Sequence, residues 1–163
     1  MKISVNTPLK CSRDQAWHIL AEGFGSIGTW SCSIAESSLE GELGVGATRT
    51  CVSAESFGPF KAGVVKETLT EFDEQAKIFT YQAVSGLPKF IARASNRWSF
   101  FEKGDRQSSV RFDAEITFSP WVGWLEPILR PLMIKMMQSD LSSFQEEMQY
   151  RLAHGKPHPR KGI

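Results

Sequence analysis

From Lys2 to Lys10 the chain alternates, with Ile3, Val5, Thr7 and Leu9 on one side and Lys2, Ser4, Asn6 and Pro8 on the other. This is the two-residue period of a half-buried strand. The period then lengthens. Ser12 to Gln15 reads as a capping box, in which the Ser12 hydroxyl accepts from the Gln15 backbone while the Gln15 amide reaches back, and Ala16, Leu20 and Phe24 recur at helical spacing. Gly23, Gly25 and Gly28 break this stretch into short helices.

Beyond Ile34 turn signals come at regular intervals: Glu40-Gly41 with Gly44 and Gly46, Gly58-Pro59, Asp73 to Gln75, Gly86 to Pro88, and Gly104-Asp105. They predict six strands over about 34–39, 47–55, 63–72, 77–84, 90–101 and 108–118, in the hairpin order of an antiparallel meander. The last is the clearest, with Val110, Phe112, Ala114, Ile116 and Phe118 opposite Arg111, Asp113, Glu115 and Thr117. The same parity points Phe79, Tyr81 and Ala83 inward, and Ala92, Ala94, Asn96, Trp98 and Phe100 inward with Arg93 and Arg97 outward. Val65, Glu67 and Leu69 share the inner face.

After the strands, Leu125, Leu129, Leu132, Met133, Met136, Met137, Leu141, Phe144, Met148 and Leu152 keep to steps of three and four, which predicts one long helix to about 152. Pro127 and Pro131 suit its first turns or a kink. The domain is expected to span 1–154, followed by a basic, Gly- and Pro-containing tail over 155–163 that reads as frayed.

Composition narrows the function classes. At 163 residues and 18.3 kDa the chain is one domain with room for a core. Its 19 Lys+Arg against 18 Asp+Glu give a formal charge of +1, too weak a field to argue for nucleic acid or an anionic membrane as main partner. Cys11, Cys32 and Cys51 are odd in number and lack C-x-x-C spacing, so free thiols in a reducing cytoplasm are expected rather than disulfides or zinc. The alternating N-terminus lacks the apolar run of a signal peptide, and Glu126, Arg130 and Lys135 interrupt the most apolar helical stretch, so no transmembrane span is expected. His18, His154 and His158 are scattered, and no P-loop, dinucleotide fingerprint, G-x-S-x-G or H-E-x-x-H occurs. No metal and no cofactor are expected.

Strand, two short helices, six antiparallel strands and a long C-terminal helix is the element order of the helix-grip fold. Through Trp30, LEGELGVGATR (Leu39 to Arg49), KETLTEFD (Lys66 to Asp73), FTYQ (Phe79 to Gln82), GLP (Gly86 to Pro88) and Trp98, the chain resembles the bacterial polyketide cyclase/dehydrase and lipid-transport group of the START-like SRPBCC superfamily. The plant abscisic acid receptors of the same superfamily are similar around SCSI (Ser31 to Ile34) and VGATR (Val45 to Arg49). Trp30 stands where those receptors carry a pocket lysine, so their hormone-receptor function is not carried over, while Glu67 and Asp140 match polar pocket positions. The resemblance implies an α+β fold, a seven-stranded curved antiparallel sheet wrapped around the C-terminal helix, with a cavity between them.

Within that frame Leu132, Met136 and Asp140, at i, i+4 and i+8, would line the cavity, with methionine suiting a wall that adapts to ligands. Trp30 and Trp98 offer broad apolar walls or ordinary core, and Tyr81 and Asn96 offer a hydroxyl and an amide. Glu67 is the most interesting acid. An inward carboxylate between Val65 and Leu69 would suffer desolvation, unless it pairs with an internal arginine or its strand is flipped. Arg49, alternating with Thr48 and Thr50, fits either face.

The leading expectation is a cytoplasmic protein that binds a small hydrophobic molecule, such as a lipid, quinone or polyketide-like aromatic. The rival is a cyclase or dehydratase in which Glu67, the candidate catalytic residue, moves protons with Tyr81 or Asp140. A third reading is a protein partner bound through exposed Trp121 and Trp124. A homodimer is left open.

Overall fold

A computed structural model describes residues 1–54 and 63–159. Strand β1 (Lys2–Leu9) is followed by a short helix α1 (Arg13–Trp17) that widens into a π-helical turn (His18–Glu22), then by a 3₁₀ segment (Phe24–Thr29). Strands β2 (Ile34–Glu40), β3 (Thr48–Ser53), β4 (Val64–Asp73), β5 (Ile78–Ser85), β6 (Ile91–Gly104) and β7 (Gln107–Phe118) come next. A second 3₁₀ segment (Pro120–Leu125) leads into the long helix α2 (Glu126–His154). The predicted Gly58-Pro59 turn, the end of the strand expected over 47–55 and residues 160–163 lie outside the described residues.

The seven strands form one antiparallel sheet in the order β1-β7-β6-β5-β4-β3-β2. The meander follows from short connections that leave each strand beside its sequence neighbour, while β1 closes against β7 through the pairing of Lys2 with Glu115 and Leu9 with Ser108. Helix α2 runs along β1: Arg130 donates to the Lys2 carbonyl near its start, and Gln145 to the Pro8 carbonyl further on.

Local chemistry sets the helix ends. Both hydrogen bonds of the Ser12–Gln15 capping box are present, at 3.2 and 3.0 Å. Gly28 lets the 3₁₀ segment press on β2, since a side-chain carbon there would sit 2.9 Å from the Ser37 amide nitrogen. Pro131 lies inside α2 without ending it, in the second turn, where proline has no N–H to give to the carbonyl of residue 127. Gly155 closes α2 in the left-handed conformation at φ 67°. Beyond it the chain turns back, and the His158 amide donates to the Glu147 carboxylate at 3.0 Å while its ring meets Tyr150.

One parity expectation is corrected. Ala92 is exposed and Ile91 takes the buried position, because the β6–β7 register shifts between Ile91 and Arg93. A bulge adds a residue and so reverses the side-chain alternation beyond it; from Ala94 onward the predicted inward set returns.

Candidate ligand-binding site

The two charged side chains that sit deepest on the inner face are cross-strand partners. Arg49 on β3 pairs in register with Glu67 on β4, which puts both side chains on the same face of the sheet. The Glu67 Oε2 accepts from Arg49 Nε at 2.9 Å and from Nη2 at 2.5 Å, with the Cys51 thiol 3.6 Å away. The remaining guanidinium nitrogen, Nη1, donates to the Phe24 carbonyl at 3.0 Å, and the guanidinium carbon lies 4.0 Å from the Phe24 ring centre and 4.7 Å from that of Tyr81. Of the alternatives open for Glu67, the structure selects the internal arginine, and it settles Arg49 on the inner face, 3 % exposed.

This setting acts on its neighbours. Burial is the largest effect and works against the Arg49 charge, but the Glu67 carboxylate, its hydrogen bond, Tyr81 and Cys51 together outweigh it and hold the guanidinium protonated above its ordinary range. Burial pushes the Cys51 thiol up to about 12. It does the same to the Tyr81 phenol, pushed up to about 12 with Glu67 adding to the effect, although Arg49 and the Trp98 indole lie near enough to ease ionisation slightly. Tyr81 and Cys51 are therefore neutral hydrogen-bonding groups at physiological pH. Thiol labelling of the native protein at mildly alkaline pH should modify Cys32, which is exposed, and leave buried Cys11 and Cys51 untouched until denaturant is added. Rapid native labelling of all three would contradict this arrangement.

Along each central strand the inner face changes from closed to open. At one end Leu69, Phe79, Tyr81, Trp98, Phe100 and Val110 are buried. Trp17 and Phe24, brought in by α1 and the 3₁₀ segment, interlock with them, and Phe79 lies within 6.2 Å of five other aromatic ring centres. Toward the other end the same rows continue as Val65, Ala83, Ala94, Asn96 and Phe118, all only partly buried although strand parity puts them on the inner face. On α2, Leu132 and Met136 are likewise only partly buried, and Met136 packs against the edge of the core. Phe118 apart, the residues here are smaller than the rings of the closed end, and each keeps some exposure. Glu67 stands at the boundary, its side chain 15 % exposed.

The expected site residues divide accordingly. Tyr81 and Asn96 are register partners on β5 and β6, and the Asn96 amide takes no hydrogen-bond partner among the described residues. Trp98 is core, stacked on Phe112 with ring centres 4.2 Å apart, and among the described residues its buried N–H has no partner in hydrogen-bonding geometry. Trp30 is 7 % exposed and packs edge-on against Phe144. Asp140 is engaged elsewhere: it accepts from the Ser31 hydroxyl at 2.7 Å and the Ser33 hydroxyl at 2.8 Å, tying the turn before β2 to α2. Sequence reasoning gave no weight to Ser31, Ser33 or Cys51, since their roles depend on partners distant in the chain.

A surface cleft of about 770 Å³, lined by Asn6, Lys10, Lys103, Gln107, Gln145 and Gln149 among others, lies at the far end of β1, away from the open inner face. Among the described residues no three His, Cys, Asp or Glu side chains gather as a metal-binding group, and no helix is long and apolar enough to cross a membrane.

A curved seven-stranded antiparallel sheet with a long C-terminal helix and short helices after the first strand is the helix-grip fold. Residues 1–149 match the sequence profile of the family described as polyketide cyclase / dehydrase and lipid transport, and the chain belongs to that family. No curated protein matches it significantly. Among solved structures it is similar to the Zhui aromatase/cyclase from Streptomyces sp. R1128, with 10% identity, TM-score 0.79 and coverage of 97% of this chain and 99% of that one. A START superfamily protein from Mycobacterium smegmatis gives 12% identity, TM-score 0.75 and coverage of 91% and 97%. Norcoclaurine synthase from Thalictrum flavum gives 14% identity, TM-score 0.72 and coverage of 94% and 87%. At such identities the likeness is one of fold.

Proposed function

We propose that the protein binds a small hydrophobic molecule, a lipid, quinone or polyketide-like aromatic, in the space between the open end of the sheet and α2. The observation that carries this reading is the gradient along the strands: inward residues are sealed by rings at one end and, with Val65, Ala83, Ala94, Asn96 and Phe118, left partly exposed at the other. Apolar surface kept from its own core is stabilised when a ligand covers it. The Asn96 amide and the exposed edge of Glu67 supply polar contacts for a carbonyl or hydroxyl on that ligand.

Native mass spectrometry of the purified protein, followed by organic extraction, tests for a co-purifying molecule. Binding of a fluorescent naphthalene probe gives a second readout. Met136→Trp, which fills the open end, is expected to weaken the probe by about tenfold or more, the effect of removing roughly 1.4 kcal/mol of binding. Unchanged affinity in a folded variant sinks the site.

A second reading, proton transfer by Glu67 in a cyclase or dehydratase, draws on the convergence of Arg49, Glu67, Tyr81 and Cys51. Tyr81, held neutral, serves as a hydrogen-bond donor there, and Asp140 is committed to Ser31 and Ser33. Glu67→Gln separates the readings: binding kept with turnover lost marks an enzyme, whereas turnover kept removes Glu67 from the chemistry.

A further inference from the structure

The outward face at the start of α2 is apolar where a helix of this kind is ordinarily polar. Trp121 and Trp124 are 67 % and 72 % exposed and Ile128 65 %, and Pro127 and Pro131 are exposed beside them. Trp121, Trp124, Ile128 and Pro131 follow one another at steps of three and four, so they share one surface. Large exposed rings with no core to cover call for an occupant.

Charge identifies it. Lys135, exposed seven residues after Ile128, ends the same stripe. Exposed Lys89 adjoins the 3₁₀ segment, because the Ser119 hydroxyl donates to the Lys89 carbonyl at 3.0 Å. Arg130 lies on the flank, bonded to the Lys2 carbonyl, while the Lys2 ammonium is itself paired with Glu115 at 3.4 Å. The acidic group nearest in sequence, Glu126, is already flanked by the N-terminal ammonium at 3.7 Å and Arg130 at 3.6 Å. Exposed tryptophans on a surface that also carries Lys89, Arg130 and Lys135 match a bilayer interface, where indole rings settle at headgroup depth and cations meet anionic lipid.

The stripe is also continuous with the open end of the inner face. The Ser119 amide donates to the Phe90 carbonyl at 2.9 Å, which places the β5–β6 loop beside the 3₁₀ segment, and Leu132 and Met136 lie one and two turns beyond Ile128. We infer that Trp121, Trp124 and Ile128 form a docking surface for anionic membranes, set beside the opening through which a hydrophobic ligand passes. The use of the surface rests on the ligand-binding reading, but its binding to lipid can be measured without any ligand.

Vesicles of equal parts phosphatidylcholine and phosphatidylglycerol, and vesicles of phosphatidylcholine alone, provide the test with the full chain. Trp17, Trp30 and Trp98 are already buried, so a blue shift of emission on adding vesicles reports Trp121 and Trp124. The wild type is expected to sediment with the anionic vesicles and to shift, less so in high salt, and the W121S/W124S variant to bind at least about tenfold more weakly. Absent sedimentation, or equal binding by the double variant, overturns the inference. Self-association of the wild type that the double variant loses, with no lipid binding, assigns the face to a second copy instead. Probe binding in solution, expected unchanged in the double variant, distinguishes loss of the membrane surface from loss of the inner cavity.

Discussion

Glu67→Ala is expected to destabilise the fold by about 3 kcal/mol, the lower end of what breaking one partner of a buried ion pair costs. The penalty arises because Arg49, 3 % exposed and held over the Phe24 and Tyr81 rings, would keep its charge without a carboxylate to answer it. Replacing both partners, Arg49→Met with Glu67→Leu, should recover most of that loss, because two apolar side chains of similar volume carry no desolvation cost. Urea denaturation followed by circular dichroism measures both. A single-variant loss no larger than the ~0.5 kcal/mol of an ordinary surface change would show that the pair is not the buried polar centre of the molecule.

Phe79→Ala is expected to cost about 3–5 kcal/mol, the range for deleting a buried ring that its neighbours cannot replace by collapsing. Phe79 is 2 % exposed and touches Trp17, Phe24, Tyr81, Trp98 and Phe100, which come from α1, the first 3₁₀ segment, β5 and β6. Met136→Ala, at the open end, should cost clearly less, because its side chain is only partly withdrawn from water. Equal losses at the two positions would argue that the inner face is sealed throughout, and with it against a ligand space. The contrast thus links the stability of the closed end to the proposed function of the open one.

The local elements were legible because each rests on neighbours in the chain. The capping box at Ser12, the alternation through β7 and the three-and-four spacing of α2 are all short-range patterns, and the structure contains each of them. Ala92 shows where such counting fails: the bulge after Ile91 is a property of the β6–β7 ladder, and nothing in the alternation of β6 alone announces it.

The site was legible in part. Parity brought Glu67, Tyr81 and Asn96 to the inner face, and their register across β4, β5 and β6 bears this out. Arg49 remained on either face in the sequence because β3 carries polar residues on both sides, Thr48 and Thr50 as well as Arg49. Asp140 looked like a cavity residue from its helical step with Met136, but Ser31 and Ser33, more than a hundred positions away, claim its carboxylate.

By itself, then, the sequence determined the order of elements, the antiparallel meander and the amphipathic faces, all consequences of hydrophobic period and turn chemistry over a few residues, while the helix-grip resemblance came from that order together with motifs such as LEGELGVGATR and KETLTEFD. Tertiary structure decided which charges meet, which inward positions are sealed, and that Trp121 and Trp124 face water. Those outcomes depend on strand register and on how far α2 stands from each part of the sheet, long-range quantities that no local pattern encodes.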